Sequence, residues 1–174
     1  MKRLLALCVA LPVAAVLLIP SSGSAQGTLP SIERADLRQV TLTVTPRRDR
    51  TRPYTFTSTG RIVPPVRYCN PGESPATGHC IPILCPAGVV DIRYCLVPGP
   101  RVICSGTITV RYQKRTTTIS ARIVAVRPDC TYRSRVTFRT RLITRIGNFR
   151  VRARFGGNVL FNARNSSTRI VRGG

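Results

Sequence analysis

Apolar and polar residues alternate along several short stretches of the chain. The clearest stretch is FRVRARF, in which Phe149, Val151, Ala153 and Phe155 alternate with arginines. Successive side chains of a β-strand point to opposite faces of a sheet, so this period of two predicts a strand with one buried and one solvated face. No stretch shows the apolar period of 3.6 residues that is typical of an amphipathic helix.

Other segments show the same alternation. The residues that share one face are Val40, Leu42 and Val44 in VTLTVT; Tyr54, Phe56 and Ser58 in YTFTSTGRI; Val102, Cys104, Ile108, Val110 and Tyr112 in VICSGTITVRY; Ile119, Ala121 and Ile123 in TTISARIVA; and Val136, Phe138 and Leu142 in SRVTFRTRL. STRIVR, near the end of the chain, is a weaker candidate. Seven short strands, rich in Thr and Val, predict an all-β antiparallel sandwich.

One connection is much longer than the others. Residues 64–100 hold most of the prolines and four cysteines, and Arg-Tyr-Cys occurs twice there, as VRYCNPG and IRYCLVPG. A structureless connection of this length is unusual inside a compact domain and is often functional or cross-linked. We therefore predict one domain over residues 38–174, preceded by a flexible lead at 26–37, with a disulfide-braced, Pro-rich insert at 64–100.

The N-terminus has the three parts of a secretory signal peptide, and we predict this signal over residues 1–25. A basic start is followed by an apolar run from Leu4 to Ile19 and by small residues before the expected cleavage after Ala25. The run is shorter than the roughly 20 residues that span a bilayer. We expect a secreted or envelope-associated protein with no transmembrane span after cleavage, and a retained anchor is the alternative.

The cysteines outside the signal are even in number. They are Cys69, Cys80, Cys85, Cys95, Cys104 and Cys130. An even count in an exported chain predicts three disulfides. A zinc site fits poorly because there is no C-x-x-C pair and His79 is the only histidine. We predict no metal and no cofactor.

The charge of the chain is strongly positive. Lys and Arg total 28 against 6 Asp and Glu, which gives a net charge of +22. Such a surface attracts polyanions, such as anionic cell-wall polymers, anionic lipid head groups or nucleic acid. Sequence-specific reading of nucleic acid is not expected, because aromatic residues are only 6% of the chain and the phenylalanines alternate inward.

Arginines occupy the polar positions of the last two long strand patterns. A two-residue turn at Gly147-Asn148 would join these strands as a hairpin and place their arginines on one sheet face. Like charges opposite one another are destabilising, so an anion that binds such a face relieves this repulsion and lowers the free energy. The predicted polyanion-binding residues are Arg135, Arg139, Arg141, Arg150, Arg152 and Arg154. The alternative is a solvated face whose charges are relieved by counterions.

Catalytic groups are scarce, and we predict no catalytic residues and no enzyme activity. The carboxylates are Glu33, Asp36, Asp49, Glu73, Asp91 and Asp129. None of them forms a pattern suited to paired acid–base chemistry. Oxidised cysteines supply no thiolate nucleophile. The competing interpretation is a secreted protease inhibitor or small hydrolase that acts through the insert, where a protein partner could bind.

The chain resembles bacterial secreted immunoglobulin-like domains of actinobacterial type. RFGGNVLFNARNSSTRIVR is similar to their closing strands, where an aromatic strand end precedes Gly-Asn, a short apolar patch and a Ser/Thr-rich strand. CSGTITVRYQKRTTTISARIVAVRPDCTYRSRVTFR is similar to their middle, in which one cysteine opens the third strand and another precedes the fifth. The resemblance covers residues 38–63 and 101–172, and the insert has no counterpart. The chain departs from antibody-type domains because it has no Trp and its cysteines are not on the second and sixth strands.

The resemblance implies an immunoglobulin-like sandwich of about seven strands with a Cys104–Cys130 bridge. The four other cysteines then allow three pairings. Short loops favour Cys69–Cys80 and Cys85–Cys95, whereas the Arg-Tyr-Cys repeat favours Cys69–Cys80, Cys95–Cys104 and Cys85–Cys130 instead. The expected role is that of a non-enzymatic binding or structural module.

Overall fold

The computed structural model describes residues 33–70, 72–85, 95–139 and 147–174, and these ranges form ten strands and two four-residue helices. The strands are β1 (Gln39–Val40), β2 (Thr43–Thr45), β3 (Arg48–Asp49), β4 (Tyr54–Val63), β5 (Thr107–Lys114), β6 (Thr117–Ala125), β7 (Thr131–Phe138), β8 (Gly147–Phe155), β9 (Arg164–Asn165) and β10 (Arg169–Gly173). The helices are α1 (Pro75–Gly78) and α2 (Pro100–Ile103).

The strands form two sheets. In the four-stranded sheet, β4 pairs with β1, β2 and β7. The six-stranded sheet has the order β3-β10-β8-β5-β6, with β9 paired to β8. All pairings are antiparallel except that of β3 with β10, which is parallel. The all-β class predicted from the alternation is confirmed.

The two sheets pack their apolar faces against each other. Four aromatic rings meet between them, and neighbouring centroids lie 5.6 to 6.3 Å apart. The rings belong to Phe56, Tyr112, Phe138 and Phe149. A buried hydrogen bond of 2.7 Å joins the hydroxyls of Ser58 and Tyr112 across the interface. This bond satisfies two polar groups that would otherwise be costly to bury.

The predicted alternation holds in most strands. The four inward residues of β8 are fully buried, and so are the inward residues predicted for β5 from Ile108 onward. The segment just before β5 differs from the prediction, because residues 100–103 form the helical turn α2 rather than a strand. Pro100 occupies the first position of this turn and favours the helical conformation. The N–H at that position has no partner within a helix, so its absence in proline costs nothing.

The prediction for β6 is right for Ile119, which packs against the core, and wrong for the residues that follow it. Ala121 and Ile123 are exposed, the latter by 71%, whereas Val124 packs against the core. The pairing with β5 shifts between Tyr112 and Gln113, which leaves Ile119 as an extra residue in the ladder. A bulge of this kind inverts the alternation beyond it.

The flexible lead predicted at 26–37 does not extend to residue 37. Ala35 and Leu37 are buried in the core. Backbone hydrogen bonds of 2.9 Å join Ala35 N–H to Leu160 O and Asn162 N–H to Ala35 O. The chain is therefore part of the sandwich from Ala35 onward. Residues 26–32 and the predicted signal at 1–25 lie outside the described residues.

Three disulfides close the insert and its junction with the sandwich. Cys69–Cys80, Cys85–Cys95 and Cys104–Cys130 are bonded, with Cα–Cα distances of 4.9, 4.2 and 4.5 Å. The pairing favoured by short loops and the bridge implied by the resemblance are both confirmed. The Cys95–Cys104 and Cys85–Cys130 bridges favoured by the repeat are wrong. Three disulfides indicate that the chain folds in an oxidising, extracellular-type environment. Within the described ranges, no helix has the length and apolarity needed to cross a membrane.

The first Arg-Tyr-Cys copy braces the insert internally. The guanidinium of Arg67 donates to both carboxylate oxygens of Glu73, at 2.7 and 2.5 Å, and to Gly78 O at 3.1 Å. The hydroxyl of Tyr68 donates to Pro98 O at 3.1 Å and ties the two arms of the insert together. In the second copy, Arg93 and Tyr94 lie outside the described residues.

Candidate polyanion-binding surface

The long strand β8 exposes three arginines on the outer face of the six-stranded sheet. Arg150, Arg152 and Arg154 are exposed and alternate with fully buried residues. Strand alternation therefore places all three on one side, about 7 Å apart along the strand.

The prediction that all six arginines share this face was wrong. Arg135 lies on β7 in the four-stranded sheet, and Arg139 directly follows that strand. Arg141 lies outside the described residues. The Gly147-Asn148 pair is not a turn, because both residues belong to β8 and pair with β10. The chain therefore changes sheet between β7 and β8, and the two strands are not hairpin neighbours.

Three arginines that the sequence reasoning missed complete the face. Arg111 on β5 is the direct partner of Arg152, and Arg172 on β10 is the partner of Asn148. Arg48 on β3 pairs in turn with Arg172. We call the set Arg48, Arg111, Arg150, Arg152, Arg154 and Arg172 the arginine sheet face. The outward position of Arg111 could be read from the alternation of its strand, but its strand partner could not.

The positions paired with the arginines of β8 carry no carboxylate. Arg150 lies between Gln113 and Ile170, and Arg154 lies between Thr109 and Asn165. The one ion pair within 4.0 Å among the described residues is that of Arg67 with Glu73, in the insert. Partner Cα atoms on neighbouring strands are about 5 Å apart, well inside the roughly 8 Å Debye length at physiological salt. Mutual repulsion on this face is therefore only partly screened.

The described carboxylates all accept hydrogen bonds from other groups of the protein. The two oxygens of Asp49 accept from the N–H groups of Thr51 and Thr55, at 3.0 and 2.7 Å. Asp129 accepts from the hydroxyl and the N–H of Thr131, and these bonds lower the pKa of its carboxyl group. Asp36 accepts from Asn162, and Glu33 accepts from Ser74.

The outer face of the opposite sheet is dominated by threonine. Thr43 pairs with Thr59 on β4, and Thr45 pairs with Thr57. The hydroxyls of Thr55 and Thr137 lie 3.0 Å apart. Arginine enters this face through Arg61 on β4, the partner of Thr131, and through β7, where Arg133 is the partner of Thr59 and Arg135 is the partner of Thr57. The two arginines of β7 are exposed and have an uncharged partner on β4.

Comparisons with protein-family models, with curated proteins and with solved structures found no match to this chain. The functional argument therefore depends on the geometry of the surface itself.

The arginine sheet face has the chemistry to bind anions. A guanidinium presents a planar fork of donors that matches the two oxygens of a phosphate or carboxylate. Six such groups on adjacent strands of one sheet form an extended basic patch rather than a single pocket. The arrangement suits a polymer with repeated negative charges, which neutralises several arginines at once.

Proposed function

We propose that this chain is a secreted, non-enzymatic binding or structural module that holds linear polyanions against the arginine sheet face. The observation that carries the proposal is the direct pairing of Arg152 with Arg111, with no carboxylate at the paired positions around them. Anionic polymers of the cell envelope are the partners that an exported protein of this charge would meet.

Relief of repulsion supports this role. Like charges opposite one another in a sheet are destabilising. A bound polyanion removes that penalty and adds charge-assisted hydrogen bonds from each guanidinium. The same surface offers no aromatic side chain for base stacking, so the binding we propose depends on backbone charge and not on sequence.

The proposed fold class is the immunoglobulin-like sandwich. The strand order β3-β10-β8-β5-β6 and the parallel pairing of β3 with β10 support it, together with a facing sheet built around β4 and β7. Cys104 lies just before β5 and Cys130 just before β7. These are the two cysteine positions that the resemblance to actinobacterial secreted domains implies.

Export through the N-terminal signal is part of the same proposal. The three disulfides favour an extracellular or envelope location, since they persist in oxidising compartments. A non-enzymatic role is favoured by the state of Glu73, the carboxylate of the insert that lies within the described residues. Its hydrogen bonds from Arg67 and Asn70 lower its pKa to about 2, whereas a general acid at neutral pH needs a raised pKa.

A matched pair of double variants tests the proposed surface. Arg150→Gln/Arg152→Gln and Arg133→Gln/Arg135→Gln each remove two exposed arginines spaced two residues apart on one strand. The first pair belongs to the arginine sheet face and the second to the threonine-rich face. Affinity for a fluorescent single-stranded oligothymidylate and for long-chain polyphosphate is measured by anisotropy and competition.

The two variants have the same net charge, so they separate the face from the overall charge. We expect the first variant to bind at least about tenfold more weakly, and the second to change affinity by less than about threefold. Circular dichroism and thermal unfolding establish that both variants are folded. Equal losses in the two variants would mean that net charge and not this face drives binding, and the proposal would be rejected.

A further inference from the structure

A cleft of about 470 Å³ lies where the insert meets the sandwich. Its walls come from the chain that leads into β1, from the arm that leads into Cys69 and Cys80, and from β9. The residues that form its floor and its cationic walls are Leu37, Arg38, Val66, Arg67, His79 and Arg164. None of these residues belongs to the arginine sheet face.

Intramolecular hydrogen bonds fix the guanidinium groups of Arg164 and Arg67, two of the cations that line the cleft. A guanidinium nitrogen of Arg164 donates to Leu37 O, which docks β9 against the chain before β1. The guanidinium of Arg67 is fixed by its two bonds to Glu73 and its bond to Gly78 O. Side chains fixed before binding lose little conformational entropy when a ligand arrives.

The Cys69–Cys80 disulfide links the two segments of the insert that carry Arg67 and His79. Arg67 lies two residues before Cys69, and His79 directly precedes Cys80. Hydrogen bonds from Ile81 N–H to Arg67 O and from Cys69 N–H to Ile81 O hold the two arms together, at 2.9 and 3.0 Å. The disulfide therefore places Arg67 and His79 side by side at the cleft.

Two of the lining side chains are exposed and unengaged. The side chains of Arg38 and His79 make no hydrogen bond or ion pair with other residues in the part of the chain that the structure describes, although the backbone N–H of Arg38 donates to Val63 O at 2.8 Å. Val66 is 83% exposed and supplies apolar surface beside them, whereas Leu37, which also lines the cleft, is only 1% exposed. The cleft also contains Asp36, whose carboxylate accepts a hydrogen bond of 3.1 Å from Asn162.

We propose that this cleft binds a small organic anion, with its phosphate or carboxylate group against Arg38, Arg164 and His79 and its apolar part on Val66. Volumes of a few hundred Å³ with apolar walls and a few convergent polar groups are typical of small-molecule sites. The guanidinium fork matches both anionic groups. The insert then has a function of its own, because it supplies half of the site.

The single histidine of the chain makes the site observable. The imidazole C–H signals in an NMR spectrum come from His79 alone, so they report on the cleft without assignment. Phenyl phosphate and benzoate are titrated into the disulfide-bonded protein, and benzyl alcohol serves as the uncharged probe. We expect saturable shifts of the His79 signals with phenyl phosphate, with benzoate or with both, and no saturable shift with benzyl alcohol.

Two charge-matched variants locate the interaction. Arg38→Gln removes the unengaged cation of the cleft, and Arg150→Gln removes one cation of the arginine sheet face. We expect Arg38→Gln to raise the Kd for the bound anion about tenfold and Arg150→Gln to leave it unchanged within about twofold. Absence of saturable His79 shifts with both anions would overturn the proposal, as would equal Kd values for Arg38→Gln and the unmodified protein, or equal effects of the two variants.

Discussion

Arg152 on β8 lies directly opposite Arg111 on β5, on the outer face of the six-stranded sheet. Two full positive charges therefore share one cross-strand pair, and the flanking pairs contain no carboxylate. A sheet gains nothing in stability from such a pair, because like charges directly opposite are destabilising. A bound anion reduces the repulsion between these two guanidinium groups, and this reduction favours binding.

Removal of one member of this pair should stabilise the fold while it weakens polyanion binding. We expect Arg152→Thr to raise the free energy of unfolding by about 0.5 kcal/mol at low salt, with a smaller gain at high salt because screening already reduces the repulsion. Urea denaturation at two ionic strengths measures both values. The matched control is Arg135→Thr, whose partner on β4 is Thr57. A loss of stability in Arg152→Thr, or an equal gain in the control, would refute this relationship.

Gly60 is expected to tolerate no side chain. A Cβ at this position would lie 2.1 Å from Thr41 O and 2.6 Å from the hydroxyl of Tyr132. That hydroxyl donates to Thr41 O at 2.6 Å, so the two groups that a new side chain would meet are already bonded to each other. We expect Gly60→Ala to lower the free energy of unfolding by more than about 2 kcal/mol, because a partly buried hydrogen bond and the local strand pairing must both shift.

The control for this substitution is Gly99→Ala. A Cβ at Gly99 meets no atom within 4 Å, and its φ of −74° suits any residue. We expect the control to change stability by less than about 0.5 kcal/mol. Similar thermal midpoints for the two variants would show that the close approach at Gly60 does not constrain the fold.

The Glu73–Arg67 pair should give the insert a defined pH dependence. Hydrogen bonds from Arg67 and from the N–H of Asn70 lower the pKa of Glu73 from 4.5 to about 2. A carboxyl group with a lowered folded-state pKa stabilises the fold above its unfolded-state value, and this contribution is lost as the pH falls toward the folded-state value. We therefore expect the stability difference between the unmodified protein and Glu73→Gln to be constant above about pH 5 and to vanish as the pH approaches 2.

Carboxyl chemical shifts across an acid titration measure the Glu73 pKa directly. The control is Asp129→Asn, which removes a different carboxyl group whose pKa is also lowered and leaves the Arg67–Glu73 pair intact. A Glu73 pKa at its ordinary value would contradict the Arg67 contact.

The Cys104–Cys130 bridge should carry more stability than the outer bridge of the insert. Both of its cysteines are buried, and it closes a loop with a sequence separation of 26. The chain-entropy estimate for this loop is about 3.5 kcal/mol. We expect Cys104→Ala/Cys130→Ala to lower the free energy of unfolding by roughly that amount and to lower the thermal midpoint clearly.

The control removes the Cys85–Cys95 bridge. Cys85 is exposed, and the sequence separation of this bridge is 10. We expect Cys85→Ala/Cys95→Ala to lower the thermal midpoint less, since the same estimate for this shorter loop is about 2.7 kcal/mol and the bridge lies outside the core. A larger loss in this variant would mean that the insert, rather than the junction, supports the fold.

Local patterns in the sequence predict much of this fold. The alternation of Phe149 to Phe155 identifies a strand buried on one face, and the even cysteine count predicts three disulfides. Alternation fails at β6 because the bulge at Ile119 inverts the phase of the strand. A bulge depends on the pairing with β5, which the segment itself does not encode.

The candidate surface was only partly predictable for the same reason. The sequence shows that Arg150, Arg152 and Arg154 face outward together, because this depends on one strand alone. It does not show that β7 belongs to the other sheet, which separates Arg135 from them. It also does not show that Arg111 lies beside Arg152, because strand partners are set by contacts between distant segments.

The salt dependence of polyanion binding tests the central claim most directly. Each phosphate neutralised on a single-stranded polymer contributes about 0.7 units to the slope of log K against log salt concentration. If the arginine sheet face contacts the polymer, Arg150→Gln/Arg152→Gln should reduce the magnitude of this slope for oligothymidylate by about 1.4 units. Arg133→Gln/Arg135→Gln should leave the slope unchanged. An unchanged slope in the first variant, or an equal reduction in both, would contradict the account.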